Sequence, residues 1–265
     1  MPALRLATWN INSIRIRLPL VDQFIAHAQP DILCLQETKV RDEQFPVSFF
    51  TERGYHHYAL AGQKGYHGVA TFSRLPLDNQ TRIDWCGRGD ARHVEVRLLD
   101  GVMLHNFYVP AGGDEPDPAV NDKFAHKLDF LDEMTSWSKE LPRKGRHILV
   151  GDLNVAPLET DVWSHKQLLK VVSHTPVEVE KIKRLQDSHG WVDAMRHFVP
   201  EEQRLYTWWS YRARDWKVSN RGRRLDHVWV SPVLREGLAA MQVVEEARGW
   251  EKPSDHAPVL VDISL

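Results

Sequence analysis

Arg146-His147-Ile148-Leu149-Val150-Gly151-Asp152-Leu153-Asn154 decides how the chain is read. The first five residues form a mostly apolar run of strand length, and Gly151 closes it. Asp152 and Asn154 therefore emerge together where a core strand meets a loop. With period-two geometry both side chains point the same way. A carboxylate there can activate water or hold a cation, and an amide can donate to a developing negative charge. The same pair also suits a turn in which both side chains bond nearby backbone. The choice depends on whether other strands end in the same chemistry.

Strand-like runs recur over residues 4–9, 32–36, 56–61, 69–73, 93–99, 102–109, 146–150, 227–231, 241–245 and 259–263, bounded mostly by Gly, Pro, Asp or Asn. Asp100-Gly101 between two of them is a hairpin signal. Helical patterns intervene. Pro19 suits a first helical turn, with Leu20, Phe24 and Ala28 behind it. Over residues 119–141, Phe124, Leu128, Leu131, Met134, Trp137 and Leu141 make one apolar face. Residues 179–186 and 191–197 are shorter helical candidates. No linker or repeat divides the chain, so one domain over residues 1–265 is expected. Many short strands with a few helices point to two packed sheets covered outside by helices.

With 42% hydrophobic and 26% charged residues, 265 residues make a globular chain that can bury a large core. A net charge of -2 gives no global nucleic-acid signature, so any polyanion site must be local. Two cysteines, Cys34 and Cys86, make no disulfide framework and favour a reducing compartment. No run approaches the roughly 18 apolar residues of a membrane span, and no secretory apolar core opens the chain. A cytoplasmic location without membrane contact is expected. No obligate protein partner is inferred.

Six strand boundaries carry polar groups. They are Thr8-Trp9-Asn10-Ile11-Asn12, Gln36-Glu37-Thr38-Lys39, Asn106-Phe107-Tyr108-Val109-Pro110, the Asp152–Asn154 pair, Leu225-Asp226-His227 and Ser254-Asp255-His256-Ala257-Pro258. Each has a structural use alone: a turn asparagine, a surface ion pair, a capping aspartate, a packed histidine. Six together suit phosphodiester hydrolysis. A hard cation wants oxygen ligands, and Glu37 with Asn10 or Asp255 offers them. Mg²⁺ usually takes one or two carboxylates and keeps waters and phosphate oxygens. No Cys or His cluster has zinc spacing. No Gly-rich phosphate loop and no G-x-S-x-G elbow is present.

These motifs, in this order, resemble the exonuclease III/AP endonuclease family of the endonuclease/exonuclease/phosphatase superfamily, over nearly the whole chain. The resemblance implies a four-layer α/β/β/α sandwich, with two packed mixed β-sheets flanked by helices and the active site at one end. It implies Glu37 as the metal-ligating glutamate, with Asn10 and Asp255 in the metal shell. Asp152, Asn154 and His256 complete that set. Asp152 orients or deprotonates the attacking water, Asn154 steadies phosphoryl oxygens, and His256 pairs with Asp226. Tyr108 donates to a phosphate oxygen or helps the leaving group. Mg²⁺ is the implied cofactor, with Mn²⁺ as the alternative. Ala111 departs from the pattern, since relatives tend to carry Asn or Gln after Tyr-Val-Pro.

The implied activity is hydrolysis of phosphodiesters 5′ to abasic sites and from recessed or blocked 3′ ends of duplex DNA. Arg212, Arg214, Lys217, Arg221, Arg223 and Arg224 stand against one acid, Asp215, and interleave with Trp208, Trp209, Tyr211 and Trp216. This segment reads as a phosphate-tracking arm with aromatics for a displaced sugar. By resemblance Trp208 and Leu225 wall the abasic pocket, and Trp209, Arg212 and Arg221 belong to the same surface. Tyr66, Arg15 and Lys39 are further DNA contacts, Lys39 also supporting the Glu37 corner. Three rival readings are a phosphoesterase acting on a small or lipid phosphate, a non-cleaving DNA-binding module, and a nuclease acting on RNA.

Overall fold

The structure, a computed structural model, describes residues 3–98 and 101–265. The expected strand end at Leu99 and the turn residue Asp100 lie outside the described residues.

Among these residues the strands are β1 (Leu4–Asn10), β2 (Ile32–Gln36), β3 (His57–Ala61), β4 (Val69–Ser73), β5 (Leu77–Thr81), β6 (His93–Leu98), β7 (Met103–Tyr108), β8 (His147–Asp152), β9 (Val192–Asp193), β10 (Trp208–Trp209), β11 (Gly222–Arg223), β12 (Asp226–Val230), β13 (Leu238–Val243) and β14 (Val259–Ile263). The helices are α1 (Ile14–Ala28), α2 (Val47–Thr51), α3 (Asp122–Glu140), α4 (His165–Leu168), α5 (Pro176–His189), α6 (Ala194–Phe198) and α7 (Trp216–Ser219). Two six-stranded mixed sheets result, ordered β13-β14-β1-β2-β4-β3 and β5-β6-β7-β8-β12-β9. β10 and β11 form a separate ribbon.

The layers follow from strand parity. Leu4 and Leu6 of β1, Ile32 and Cys34 of β2, Ile148 and Val150 of β8, and Val228 and Val230 of β12 fill the space between the sheets. The intervening residues are apolar too, because each sheet is covered on both faces. Ala7, Trp9, Leu33 and Leu35 pack outward on Val21, Phe24 and Phe50 from α1 and α2. Phe107, Leu149 and Trp229 pack outward on Phe130, Leu131 and Met134 of α3 and Ile182 and Leu185 of α5. The four-layer α/β/β/α sandwich is the observed arrangement.

Inward parity continues to the strand ends, where it delivers polar groups. Tyr108 is in register with Asp152 across the parallel pair β7–β8. Asp152 is in register with Asp226 across the antiparallel pair β8–β12. In the facing sheet Asn10 is in register with Gln36. Asn10 Nδ2 then crosses between the sheets to donate to Asp152 Oδ2 at 2.9 Å.

Several expected elements shift. α1 begins at Ile14 rather than near Pro19. Arg17 breaks its regularity (φ -121°, ψ 16°), and Pro19 falls early in the second segment, where its missing N–H costs little. The helix expected over residues 191–197 starts at Ala194, because Val192 and Asp193 pair with β12 and Asp193 accepts from the amides of Met195 and Arg196. β13 starts at Leu238, before the expected 241, with an irregularity between Leu238 and Ala240. No helix among the described residues is long and apolar enough to cross a membrane.

Candidate active site

At the shared end of the sheets, Tyr108, Asp152 and Asp226 stand abreast on β7, β8 and β12. Gly151 makes this row feasible. Its φ is +134°, and a Cβ there would lie 1.9 Å from the Phe107 carbonyl oxygen. His256, from the loop before β14, completes the row. Its Nδ1 lies 2.8 Å from Asp226 Oδ2, and its Nε2 lies 3.7 Å from Asp152 Oδ2. Thr207 Oγ1 donates to the same Asp226 oxygen at 2.6 Å. Asp152 is fixed at both oxygens, by Asn10 Nδ2 at 2.9 Å and by the Asn154 backbone N–H at 3.0 Å. Asn154 in turn donates its amide to the Val109 carbonyl at 2.9 Å.

The facing sheet supplies Glu37 and its neighbours. Tyr108 donates its phenol proton to Glu37 Oε1, and Lys39 Nζ sits 2.9 Å from Glu37 Oε2. Lys39 also donates to Asn12 Oδ1 at 2.7 Å, and Asn12 Nδ2 donates to Asp255 Oδ1 at 3.1 Å. Trp208 Nε1 donates to the other Asp255 oxygen at 2.9 Å. Asn12, Glu37, Lys39 and Asn154 all have positive φ. Such conformations are uncommon for side-chain-bearing residues and cluster where geometry is dictated by function. The 65–68 loop is pinned here as well. The Thr38 and Lys39 amides donate to the Gly68 and His67 carbonyls, and a Cβ on Gly68 would meet Thr38 Oγ1 at 2.2 Å.

Burial and charge set the protonation pattern. Burial pushes the Asp152 carboxyl up to about 7, with the His256 charge opposing. Burial also works against a charged His256, but Asp226 and Asp152 overcome it and raise the imidazole to about 10. Burial opposes ionisation of Asp255, yet His256 and the bonds from Trp208 and Asn12 hold its carboxyl below the usual range. Burial, then the Glu37 and Asp152 charges, push the Tyr108 phenol well up.

The donor set fits a hard divalent cation. The Asp152 and Asp226 carboxylates and the His256 imidazole converge to within 4.8 Å of one another, and the two carboxylates are the ligand atoms free for a cation while the ring is protonated. Asp226 Oδ1 is buried with no partner. Glu37, Asp152, Asp226 and Asp255 outweigh the Lys39 and His256 charges, so added positive charge is stabilising here.

The predicted site residues Glu37, Asp152, Asn154, Trp208, Trp209, Arg212, Arg221, Leu225, Asp255 and His256 line one cavity of about 830 Å³. Arg15, Tyr66, Arg212 and Arg221 are exposed. Trp209 is placed differently from Trp208. Its ring is buried among Tyr206, Trp216 and Ala257, and its Nε1 donates to Asn220 Oδ1 at 3.0 Å, so it holds the arm together. Arg224 is no phosphate tracker. It is buried, with Nε 2.7 Å from Asp161 and Nη1 2.6 Å from Asp193.

Sequence reasoning missed the 157–175 segment, which supplies Trp163, Val171, Val172 and Ser173 to the cavity. Thr175-Pro176-Val177-Glu178 is a capping-box signature that could have found it, and the box forms. Glu178 also holds the buried Lys127 ammonium, which donates to the Asn154 carbonyl at 2.7 Å and the Ala111 carbonyl at 3.3 Å.

Comparison with known proteins agrees with this geometry. Exodeoxyribonuclease III of Haemophilus influenzae is 31% identical, over 97% of this chain and 98% of its own. An exodeoxyribonuclease of Bacillus subtilis is 30% identical, over 99% of this chain and 100% of its own. Among solved structures, an AP endonuclease from Archaeoglobus fulgidus superimposes with a TM-score of 0.92 at 31% identity, covering 99% of this chain and 100% of that one. The Neisseria 3′ phosphatase NExo, bound to product DNA hairpin, gives 0.91 at 32% identity with the same coverage. Residues 7–256 match the endonuclease/exonuclease/phosphatase family. By motif, fold and site this chain is a member of the endonuclease/exonuclease/phosphatase family, of the exonuclease III and AP endonuclease type.

Proposed function

We propose that this protein is a Mg²⁺-dependent DNA-repair nuclease that incises duplex DNA 5′ to abasic sites and removes nucleotides or blocking groups from 3′ ends. One observation carries the reading: a buried Asp152–His256–Asp226 chain opens into a cavity walled by Trp208, Leu225 and arginines. A small-phosphate esterase has no use for that wall, and a binding module has no use for the chain. The names of the relatives, and the product DNA on NExo, support duplex DNA as the substrate. A sugar lacking its base leaves the stack at low cost and fits an aromatic-walled cavity.

The chain's own groups divide the work. Asp152, held at both oxygens, accepts the proton of the attacking water. Asn154 spends one amide N–H on Val109 and keeps the other for a phosphoryl oxygen. His256 stays protonated beside Asp226 and donates through Nε2 to the charge that builds in the transition state. Tyr108 keeps its phenol proton, which rests on Glu37 Oε1 and becomes a second donor only on turning from that carboxylate to a phosphate oxygen. Glu37, Asn10 and Asp255 on one side, with Asp152 and Asn154 on the other, would hold the cation, which would supply Lewis-acid stabilisation of the phosphoryl and leaving oxygens; His256, expected by resemblance in that set, has no lone pair free while it is protonated.

The test is incubation of purified protein with a labelled duplex bearing one abasic analogue, beside intact and 3′-recessed duplexes. Cleavage 5′ to the lesion and shortening from the recessed end are expected with Mg²⁺, both lost in EDTA, with Mn²⁺ compared in parallel. Inactivity on all three duplexes alongside turnover of a small phosphodiester overturns the proposal.

A further inference from the structure

Arg223, on β11, is a half-buried cation at the cavity wall, its guanidinium 5.2 Å above the Trp208 ring. One edge is committed. Nη1 donates to the Val172 carbonyl at 3.0 Å and to Ser173 Oγ at 2.8 Å. Those acceptors are fixed, because the buried Glu178 carboxylate receives the Ser173 and Thr175 amides. Among the described residues the remaining donors have no protein acceptor. Nε is buried without a partner, and among the described residues no carboxylate lies within ion-pair distance of Arg223. Its neighbour Arg224 shows the alternative, with Asp161 and Asp193 both on its guanidinium.

An unpaired, partly desolvated charge is costly to carry. Burial accordingly holds the Arg223 guanidinium below its usual pKa, with the Glu178 charge opposing. A guanidinium held rigid through Nη1, with Nε buried and Nη2 left open, is suited to an anionic oxygen arriving from the cavity.

Position gives the identity of the anion. Asp152, Asn154 and His256, which act on the scissile phosphate in the reading above, line the same cavity as Arg223. Trp208 stands between them, paired with Arg223 on one side and His256 on the other, and with Leu225 it gives the cavity an apolar surface that suits a sugar. In a nucleic acid strand, one sugar separates successive phosphates. We propose that Arg223 receives the phosphate on the 3′ side of the abasic sugar whose 5′ phosphodiester is hydrolysed, making it a specificity determinant for lesions inside a strand. This rests on the abasic-site reading.

The test uses two duplexes identical except for the linkage 3′ to the abasic analogue, one a phosphodiester and one a neutral methylphosphonate. With Mg²⁺, the wild-type protein is expected to cleave the neutral-linkage duplex with kcat/KM lower on the order of tenfold or more. Arg223→Gln is expected to cleave both duplexes at one common, reduced rate, and Arg223→Lys to regain part of the difference. Equal cleavage of the two duplexes by wild type overturns the proposal without any variant. Undiminished discrimination by a folded Arg223→Gln overturns it as well. Failure of wild type to cleave either duplex sinks the abasic-site reading, and this inference with it.

Discussion

His256 Nδ1 lies 2.8 Å from Asp226 Oδ2, while Nε2 is turned toward Asp152 and the cavity. The carboxylate thereby selects the orientation of the ring and keeps it charged. Asp226→Asn places an amide against the ring and removes that control. A loss of roughly 10²–10⁴ in kcat with little change in KM is expected, by analogy with other His–Asp pairs. Asp152→Asn and His256→Ala should nearly abolish turnover. Steady-state kinetics together with thermal unfolding check this, and a folded variant at near-wild-type rate refutes the assignment.

The exposed arginines of the arm make a different kind of contact. Arg212 and Arg221 rim the cavity, Arg221 with its guanidinium 4.7 Å over the Trp163 ring. Each phosphate neutralised contributes about 0.9 to the slope of log affinity against log salt on duplex DNA. Arg212→Gln and Arg221→Gln should each lower that slope by roughly one and weaken binding evenly across sequences. Fluorescence anisotropy across a salt series measures it, with EDTA present to block cleavage.

Lys127 and Glu178 form a fully buried ion pair between α3 and α5. The ammonium reaches the Asn154 and Ala111 carbonyls, and the carboxylate reaches the Ser173 and Thr175 amides. Removing one partner strands the other charge, which typically costs about 3–5 kcal/mol. Lys127→Met and Glu178→Gln are each expected to lose stability on that scale. The double variant should lose much less than the sum of the singles. Urea unfolding of the four proteins gives the coupling, and simple additivity would falsify the pairing.

Acid stability should be poor for a reason outside the active site. His93, His105 and His147 run beneath α3 on the outer face of the second sheet, with His189, Trp137 and Glu95 against them. Burial lowers His93 to about 3 and His147 to about 4, from 6.5. The unfolded chain takes up these protons below about pH 6.5, whereas the fold resists them. Stability is therefore complete above that pH and is lost as pH falls from 6.5 toward 4, by about 1.4 kcal/mol per unit of depression at each ring. Both His93 ring nitrogens lack partners, and the ring stacks 4.3 Å from Phe107. His93→Phe should keep or improve neutral stability and flatten the acid limb, measured by denaturant unfolding from pH 7 to pH 4.

Most of the site was legible because it obeys strand parity. Asn10 continues the inward series of Leu4, Leu6 and Thr8, Asp152 that of Ile148 and Val150, and Asp226 precedes Val228 and Val230 with the same phase. The groups not legible act through loops or through distance. β5, with the sequence LDNQT, has no alternation to read, and β10 and β11 are two residues each. The count of basic residues in the arm could not separate Arg224, tied to two aspartates from other elements, from Arg221 in solvent. Lys127 looked like one more lysine on an amphipathic helix. Only the approach of α5 makes it the support beneath Asn154.

The cross-strand row of Tyr108, Asp152 and Asp226 has a consequence for how such a chain can change. The spacing of the three is the interstrand repeat of about 4.8 Å, dictated by backbone ladders rather than by side-chain fit. Adding or deleting one residue inside β8 or β12 would swing Asp152 or Asp226 to the opposite face. The 157–175 and 208–224 segments lie off that ladder and are tied to the site at a few points, Trp208 on Asp255, Ser173 on Glu178 and Arg224 on Asp161, so the stretches between those ties can be lengthened, shortened or recharged without altering it. Bond-breaking chemistry and cavity shape thus meet at only a few fixed side chains, so one rigid hydrolytic frame can carry differently shaped cavities provided those ties are kept.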